Sequence, residues 1–206
     1  MTIVHYDPEQ TMRQARALYF AANHFGTDGG YSDAWVDLKL GPVPLPFPNT
    51  ASRVRALRFH DLHHILTGYD TTLIGELEIA GWEIGAGCRS EPFAWFINLS
   101  GLGAFWLSPR RIFRAFVRGL RSQSLYGQDA DELLSMKVRQ VRTKMAVPTS
   151  DEPPPSLGEI GRFVVAATVG FAAGLFALAL LVPLAPIGVV AQNLRRRASA
   201  TTASAT

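Results

Sequence analysis

The chain has little sulfur chemistry to offer. Of its 206 residues only Cys88 is a cysteine, which excludes a disulfide framework and a thiolate zinc site within one chain, and fits a reducing compartment. Charge is also sparse: 18% of residues are charged against 48% hydrophobic, with a formal net charge of +3. That composition suffices for one domain with a core and something further. Residues 1–7 lack a basic n-region, a long apolar h-region and the Arg-rich character of a transit peptide, so no secretory or transit signal is expected and the domain is expected to face the cytoplasm. The few charges are segregated. Residues 61–91 hold six acids and one base, Arg89, whereas residues 92–128 hold five arginines and no acid. Residues 163–191 carry no charge over 29 positions.

Against this sparse background, three of the five histidines fall within five positions, in His60-Asp61-Leu62-His63-His64. A helix over residues 50–68, capped by Asn49 or Thr50 and ended by Gly68, places His60, Asp61 and His64 on one arc, with Phe59, Leu62 and Leu66 on the other. Taken alone, HDxxH on a polar face opposite an apolar one reads as solvated surface. Two features argue for a metal site. Solvated faces favour Lys, Glu and Arg over paired histidines, and the next helix, capped by Thr71 or Thr72 and running to about Gly85, supplies carboxylates. A short turn makes the two helices antiparallel neighbours, so Glu76 faces His60 and His64. Two imidazoles and two carboxylates (His60, Asp61, His64, Glu76) offer a divalent cation a nitrogen and oxygen site; zinc is favoured, with iron or manganese also suited. Glu83, two turns beyond Glu76, fits a role behind the ligands or in proton transfer; an ordinary surface glutamate is the competing reading.

The run His60-Asp61-Leu62-His63-His64-Ile65-Leu66-Thr67-Gly68, continued by Thr72, Gly75-Glu76 and Trp82-Glu83, resembles the Coq-four family of ubiquinone (coenzyme Q) biosynthesis proteins. The family signature is H-D-x-x-H, eleven residues, then E, and it is matched here. The likeness covers the signature and both flanking helices and, more loosely, residues 7–145. It implies a mostly helical, membrane-associated protein with His60, Asp61, His64 and Glu76 as metal ligands. It also implies a polyprenylated aromatic intermediate as substrate, removal of the ring C1 carboxyl group together with hydroxylation there (a decarboxylase/hydroxylase type of lyase), and other quinone-biosynthesis proteins as partners. Glu83 matches an acid of the family pattern without an assigned role, and His63 falls where the pattern varies. Two other readings stay open: a non-catalytic lipid-binding scaffold organising the pathway complex, and an HD-type phosphohydrolase drawing on His24 and Asp129 or Asp131.

The remaining segments place this motif in a mainly α fold. Asp7 and Pro8 open a first helix with Met12, Ala15, Leu18 and Tyr19 at helical spacing. Residues 40–48, with prolines at every second position from Pro42, read as an extended strap. Residues 92–107 contain no charge and five large aromatic residues; they suit the core or contact with lipid headgroups. Residues 110–121 form a basic amphipathic helix behind Ser108 and Pro109, with Arg110, Arg111, Arg114, Arg118 and Arg121 available to a membrane surface. No nucleic-acid motif accompanies them, so no nucleic-acid partner is expected. A helix over residues 131–145 closes a domain spanning 1–145. A Pro-rich linker is expected over 146–161, a membrane helix over 162–192 ended or kinked by Pro183 and Pro186, and a basic, then disordered, tail over 193–206. Membrane attachment follows, with a bacterial inner membrane as the expected setting.

Overall fold

The computed structural model describes residues 5–40, 43–148 and 153–203. The chain is mainly helical, with a two-stranded sheet and one apolar C-terminal helix. Helix α1 (Met12–Asn23) starts four residues later than Asp7 suggested. Asp7 instead accepts the Glu9 N–H in a local turn, and Thr11 closes a capping box with Gln14. Met12, Ala15 and Tyr19 are buried, but Leu18 lies outward.

The expected strap is one arm of a β-hairpin. Strands β1 (Trp35–Leu40) and β2 (Val43–Pro48) are antiparallel, with Trp35, Asp37 and Lys39 opposite Pro48, Pro46 and Pro44. Prolines at alternate positions are compatible with a ladder when the residues between them do the bonding, and they blunt the outer edge of the strand.

Helices α2 (Ala51–Thr67) and α3 (Leu73–Ala86) follow their expected boundaries. The Thr50 hydroxyl caps the Arg53 N–H, Gly68 ends α2 in the left-handed region at φ 78°, and Thr72 caps the Gly75 N–H. Helix α3 is central. On one side it meets α4 (Pro92–Leu102), on the other α5 (Pro109–Leu120). The α3–α5 contact is made backbone to backbone: a Cβ added at Gly119 would fall on the Trp82 carbonyl, and one at Gly85 on the Phe116 carbonyl. Trp82 beneath this seam is fully buried with Leu62, Ile65, Ile79 and Leu125.

Residues 131–145 form two helices rather than one, α6 (Ala130–Ser135) and α7 (Val138–Lys144). The break has a partner: the Met12 N–H donates to the Met136 carbonyl at 2.8 Å and the Val138 N–H to the Gln10 carbonyl at 3.0 Å. The chain there trades a helical turn for pairing with the segment before α1.

Helix α8 (Leu157–Ala203) begins inside the expected linker and continues through Pro183 and Pro186. Its described part therefore extends into the expected disordered tail, where alanines favour helix. Residues Leu157–Pro183 are long and apolar enough to cross a membrane. This helix is not simply tethered. Gly170 lies against the backbone of Leu99 and Gly103, and Gly174 faces the Ser100 carbonyl, so small residues bring α4 and α8 close. Phe163 packs edge-on among Phe105, Phe113 and Phe116, and Arg121 forms a two-bond pair with Glu159 at 2.8 and 2.9 Å. The aromatic segment 92–107 divides accordingly. Ala94, Asn98 and Leu102 are buried, while Trp95, Ile97, Trp106 and Leu107 are exposed, with Trp106 in ring contact with Phe171 of α8.

Candidate metal centre

Helices α2 and α3 bring His60, His64 and Glu76 together. One ligand atom from each lies within 4.8 Å of the others. The Nε2 atoms of His60 and His64 are 3.2 Å apart. The Glu76 carboxylate approaches them at 3.3 Å and 3.6 Å.

What the outward nitrogens bind decides what stands between these groups. The His64 Nδ1 faces the Tyr69 carbonyl at 3.0 Å. A carbonyl only accepts, so Nδ1 carries the proton and Nε2 a lone pair. The His60 Nδ1 faces Glu83 Oε1 at 3.0 Å, and an ionised carboxylate imposes the same tautomer. Two imidazole lone pairs and a carboxylate then converge without a donor among them. Such a group requires a cation between its members, either a proton or a metal ion. Two histidines and one carboxylate with free positions suit zinc and iron alike.

Glu83 is the hub behind these three side chains. Its side chain is fully buried. Oε1 accepts from the Nδ1 atoms of His60 and, at 2.7 Å, of His63; Oε2 accepts from the Tyr126 hydroxyl at 2.7 Å and from the Asn98 amide. The His63 Nε2 accepts the Leu125 N–H at 2.8 Å, which fixes His63 as neutral. The buried anion thus has four donors, from α2, α4 and the segment after α5. This excludes the surface-glutamate reading of Glu83, and it is the arrangement that stiffens a ligating histidine.

The balance of charges has consequences for stability. Burial disfavours charged His60, but Glu83 and Glu76 outweigh it and hold its pKa well above 6.5. Burial lowers His63, only partly offset by Glu83. Burial would raise Glu76 and Glu83, yet the imidazoles hold both below the ordinary 4.5. A raised histidine stabilises below 6.5 and loses that contribution as pH climbs through its folded value; lowered His63 and the lowered glutamates lose theirs as pH falls below 6.5 and 4.5, respectively. The metal-free protein is therefore expected to be most stable near pH 6.5. Addition of zinc should remove the alkaline decline, because the ion replaces the His60 proton. Urea unfolding from pH 5 to 9, with zinc and with chelator, checks this; parallel curves would contradict it.

The expected fourth ligand, Asp61, stands beside the converging group rather than within it. The carboxylate is buried, and Oδ2 accepts from the Tyr31 hydroxyl at 2.6 Å. Burial raises its pKa, with His60 and Tyr31 opposing. Asp61, His60 and Glu76 line a cavity of about 310 Å³ whose other walls include Tyr19, Phe25, Trp35, Val36, Leu57 and Arg53.

Of the five arginines assigned to a membrane surface, three are bonded internally. Arg111 pairs with Glu78 through two bonds at 2.9 and 2.5 Å, Arg118 donates to the carbonyls of Thr67 and Pro148, and Arg121 holds Glu159. Arg110 and Arg114 are exposed. The phosphohydrolase reading lacks its ligands: His24 is the exposed C-cap of α1 and Asp129 caps α6, and among the described residues neither they nor Asp131 join the converging group.

Comparisons with protein-family models, with curated proteins and with solved structures find no match. The site rests on its own chemistry. His63, Asn98, Tyr126 and Tyr31 were not singled out by the sequence. For His63 the signal was its place one turn after His60 on α2, with Glu83 on the neighbouring α3; the others arrive by contacts 15 to 43 residues apart, for which local spacing carries no signal.

Proposed function

We propose that this is a membrane-attached, metal-dependent protein of prenylated-quinone biosynthesis, of the Coq-four type. In this reading it removes the C1 carboxyl group of a polyprenylated aromatic acid and hydroxylates the ring there. The observation that carries the reading is the convergence of two imidazole lone pairs and the Glu76 carboxylate, their tautomers set by Glu83 and Tyr69, at the wall of a cavity. A divalent cation held by His60, His64 and Glu76, with Asp61 beside it, would supply Lewis acidity toward a carboxylate and a phenolic oxygen. The protein contributes the rest. Glu83 keeps the His60 lone pair aimed inward, Tyr31 orients Asp61, and Tyr19, Phe25, Trp35 and Leu57 shield the chemistry from water. Exchange of the acid's ring–carboxyl bond for a ring–hydroxyl bond, with water as the oxygen source, releases carbon dioxide, two protons and two electrons, which dioxygen would accept to give hydrogen peroxide.

A membrane setting is supported by α8 and by the exposed Trp95, Ile97, Trp106 and Leu107 beside it, with Arg110 and Arg114 available to anionic headgroups. We place the domain on the cytoplasmic side of a bacterial inner membrane, near the other quinone-pathway proteins. A scaffold role for the same site is favoured by one observation: the Glu83 network ties α2, α3, α4 and the segment after α5 whether or not chemistry occurs. Complementation of deficient cells separates these readings. Glu76→Ala should lower quinone at least tenfold with build-up of a carboxylated prenyl intermediate. Unchanged quinone sinks the catalytic reading, and quinone loss without that intermediate, from a protein that shows no turnover, favours the scaffold.

A further inference from the structure

The cavity before the metal cradle has walls of two kinds. Tyr19, Phe25, Trp35, Val36 and Leu57 are apolar and mostly aromatic; Arg53 is the only arginine or lysine among its described lining residues. Arg53 sits in the first turn of α2 behind the Thr50 cap. Its Nη1 donates to Asn49 Oδ1 at 2.8 Å and its guanidinium lies over the Phe47 ring, 5.8 Å from the centroid. Asn49 is itself held by the carbonyls of Gly30 and Asp33, at 3.1 and 2.8 Å, so the arginine is braced from the loop before β1. Among the described residues Arg53 has no carboxylate within salt-bridge range, and the Asn49 bond leaves most of its five N–H donors unspent.

Charge and size narrow what would enter. Arg53 is the cavity's only guanidinium or ammonium group among the described lining residues; Asp61 acts on it through space without forming a salt bridge, so its donor fork stays open to an entering anion. A planar fork of donors suits a carboxylate, and aromatic walls suit a flat ring. About 310 Å³ lies at the small end of ligand cavities, room for a single-ring headgroup and not for a polyprenyl chain. We infer that Arg53 is the acid-reading residue of this cavity: it pairs with the carboxylate of a small aromatic acid packed against Tyr19, Phe25 and Trp35, and any isoprenoid tail lies outside. This rests on the metal-site reading above and adds to it the residue that selects an acid over a neutral ring.

The test uses the full chain in detergent, zinc-loaded and metal-free, titrated calorimetrically with 4-hydroxybenzoate and with its neutral analogue 4-hydroxybenzamide. The acid should bind at least tenfold tighter than the amide. Arg53→Gln should erase that preference in both forms of the protein, leaving amide affinity and zinc content unchanged, and Arg53→Lys should restore part of it. Equal binding of acid and amide by the wild type, a preference that survives Arg53→Gln, or no binding of either overturns the proposal. Should Arg53→Gln fold poorly by melting temperature, the acid-to-amide ratio of Arg53→Lys is read in its place, and an undiminished ratio counts against Arg53. An Arg53-dependent preference alongside unchanged quinone in Glu76→Ala cells would retire the quinone reading and keep the acid reader. Normal Glu76 dependence in cells with no role for Arg53 would do the reverse.

Discussion

His64→Ala is expected to lower zinc affinity by more than about 100-fold, since loss of a partner behind a ligand already costs about 10–100-fold and His64 is itself a proposed ligand. The reason is geometric. Its Nε2 stands 3.2 Å from that of His60 and 3.6 Å from the Glu76 carboxylate, and its Nδ1 proton is held by the Tyr69 carbonyl, so no neighbouring nitrogen can take its place. Competition titration with a chromogenic chelator measures the change. His24→Ala, at an exposed helix end, serves as the control and should bind zinc as the wild type does.

Glu83→Ala is expected to be the most destabilising change near the site. Four donors, from His60, His63, Tyr126 and Asn98, lose their common acceptor in a buried setting. Removing one partner of a buried charged network costs about 3–5 kcal/mol, a large share of the stability of a domain this size. Glu83→Gln separates fold from ligand positioning. The amide keeps the volume but turns one acceptor into a donor aimed at groups that already donate. It should retain most of the fold while lowering zinc affinity by about 10–100-fold. Urea unfolding read together with zinc titration checks both variants. A Glu83→Gln protein that binds zinc normally would show that Glu83 braces the fold alone.

The two helices of the site were legible because their information is local. Thr50 and Gly68 bracket α2, Thr72 opens α3, and the eleven-residue interval puts Glu76 opposite His60 and His64 whenever the intervening turn is short. The polar face of α2 looked like a solvated surface because its partners were still unseen; in the fold His64 and Asp61 are almost fully buried. Glu83 could be placed near the site but not weighted, since Asn98 and Tyr126 come from distant segments. The hairpin hid behind its prolines, which fit an isolated extended strap and an edge strand equally well. The split between α6 and α7 depends on pairing with residues 10–12, more than 120 residues away. The C-terminal helix was legible as apolar, but its docking was not. The close approach of Gly170 to Leu99 and Gly103, and Phe163 seated among Phe105, Phe113 and Phe116, show that the apolar helix and the helical domain share one packed surface.

The central claim is that His60, His64 and Glu76 hold a divalent cation, and the most direct test is the metal content of the purified full chain. Plasma mass spectrometry after dialysis should find one divalent cation per chain in the wild type and a small fraction of that in Glu76→Ala, with both proteins folded by circular dichroism. A folded wild-type chain that retains no more metal than Glu76→Ala, and takes up none when zinc or ferrous iron is supplied, would contradict the account.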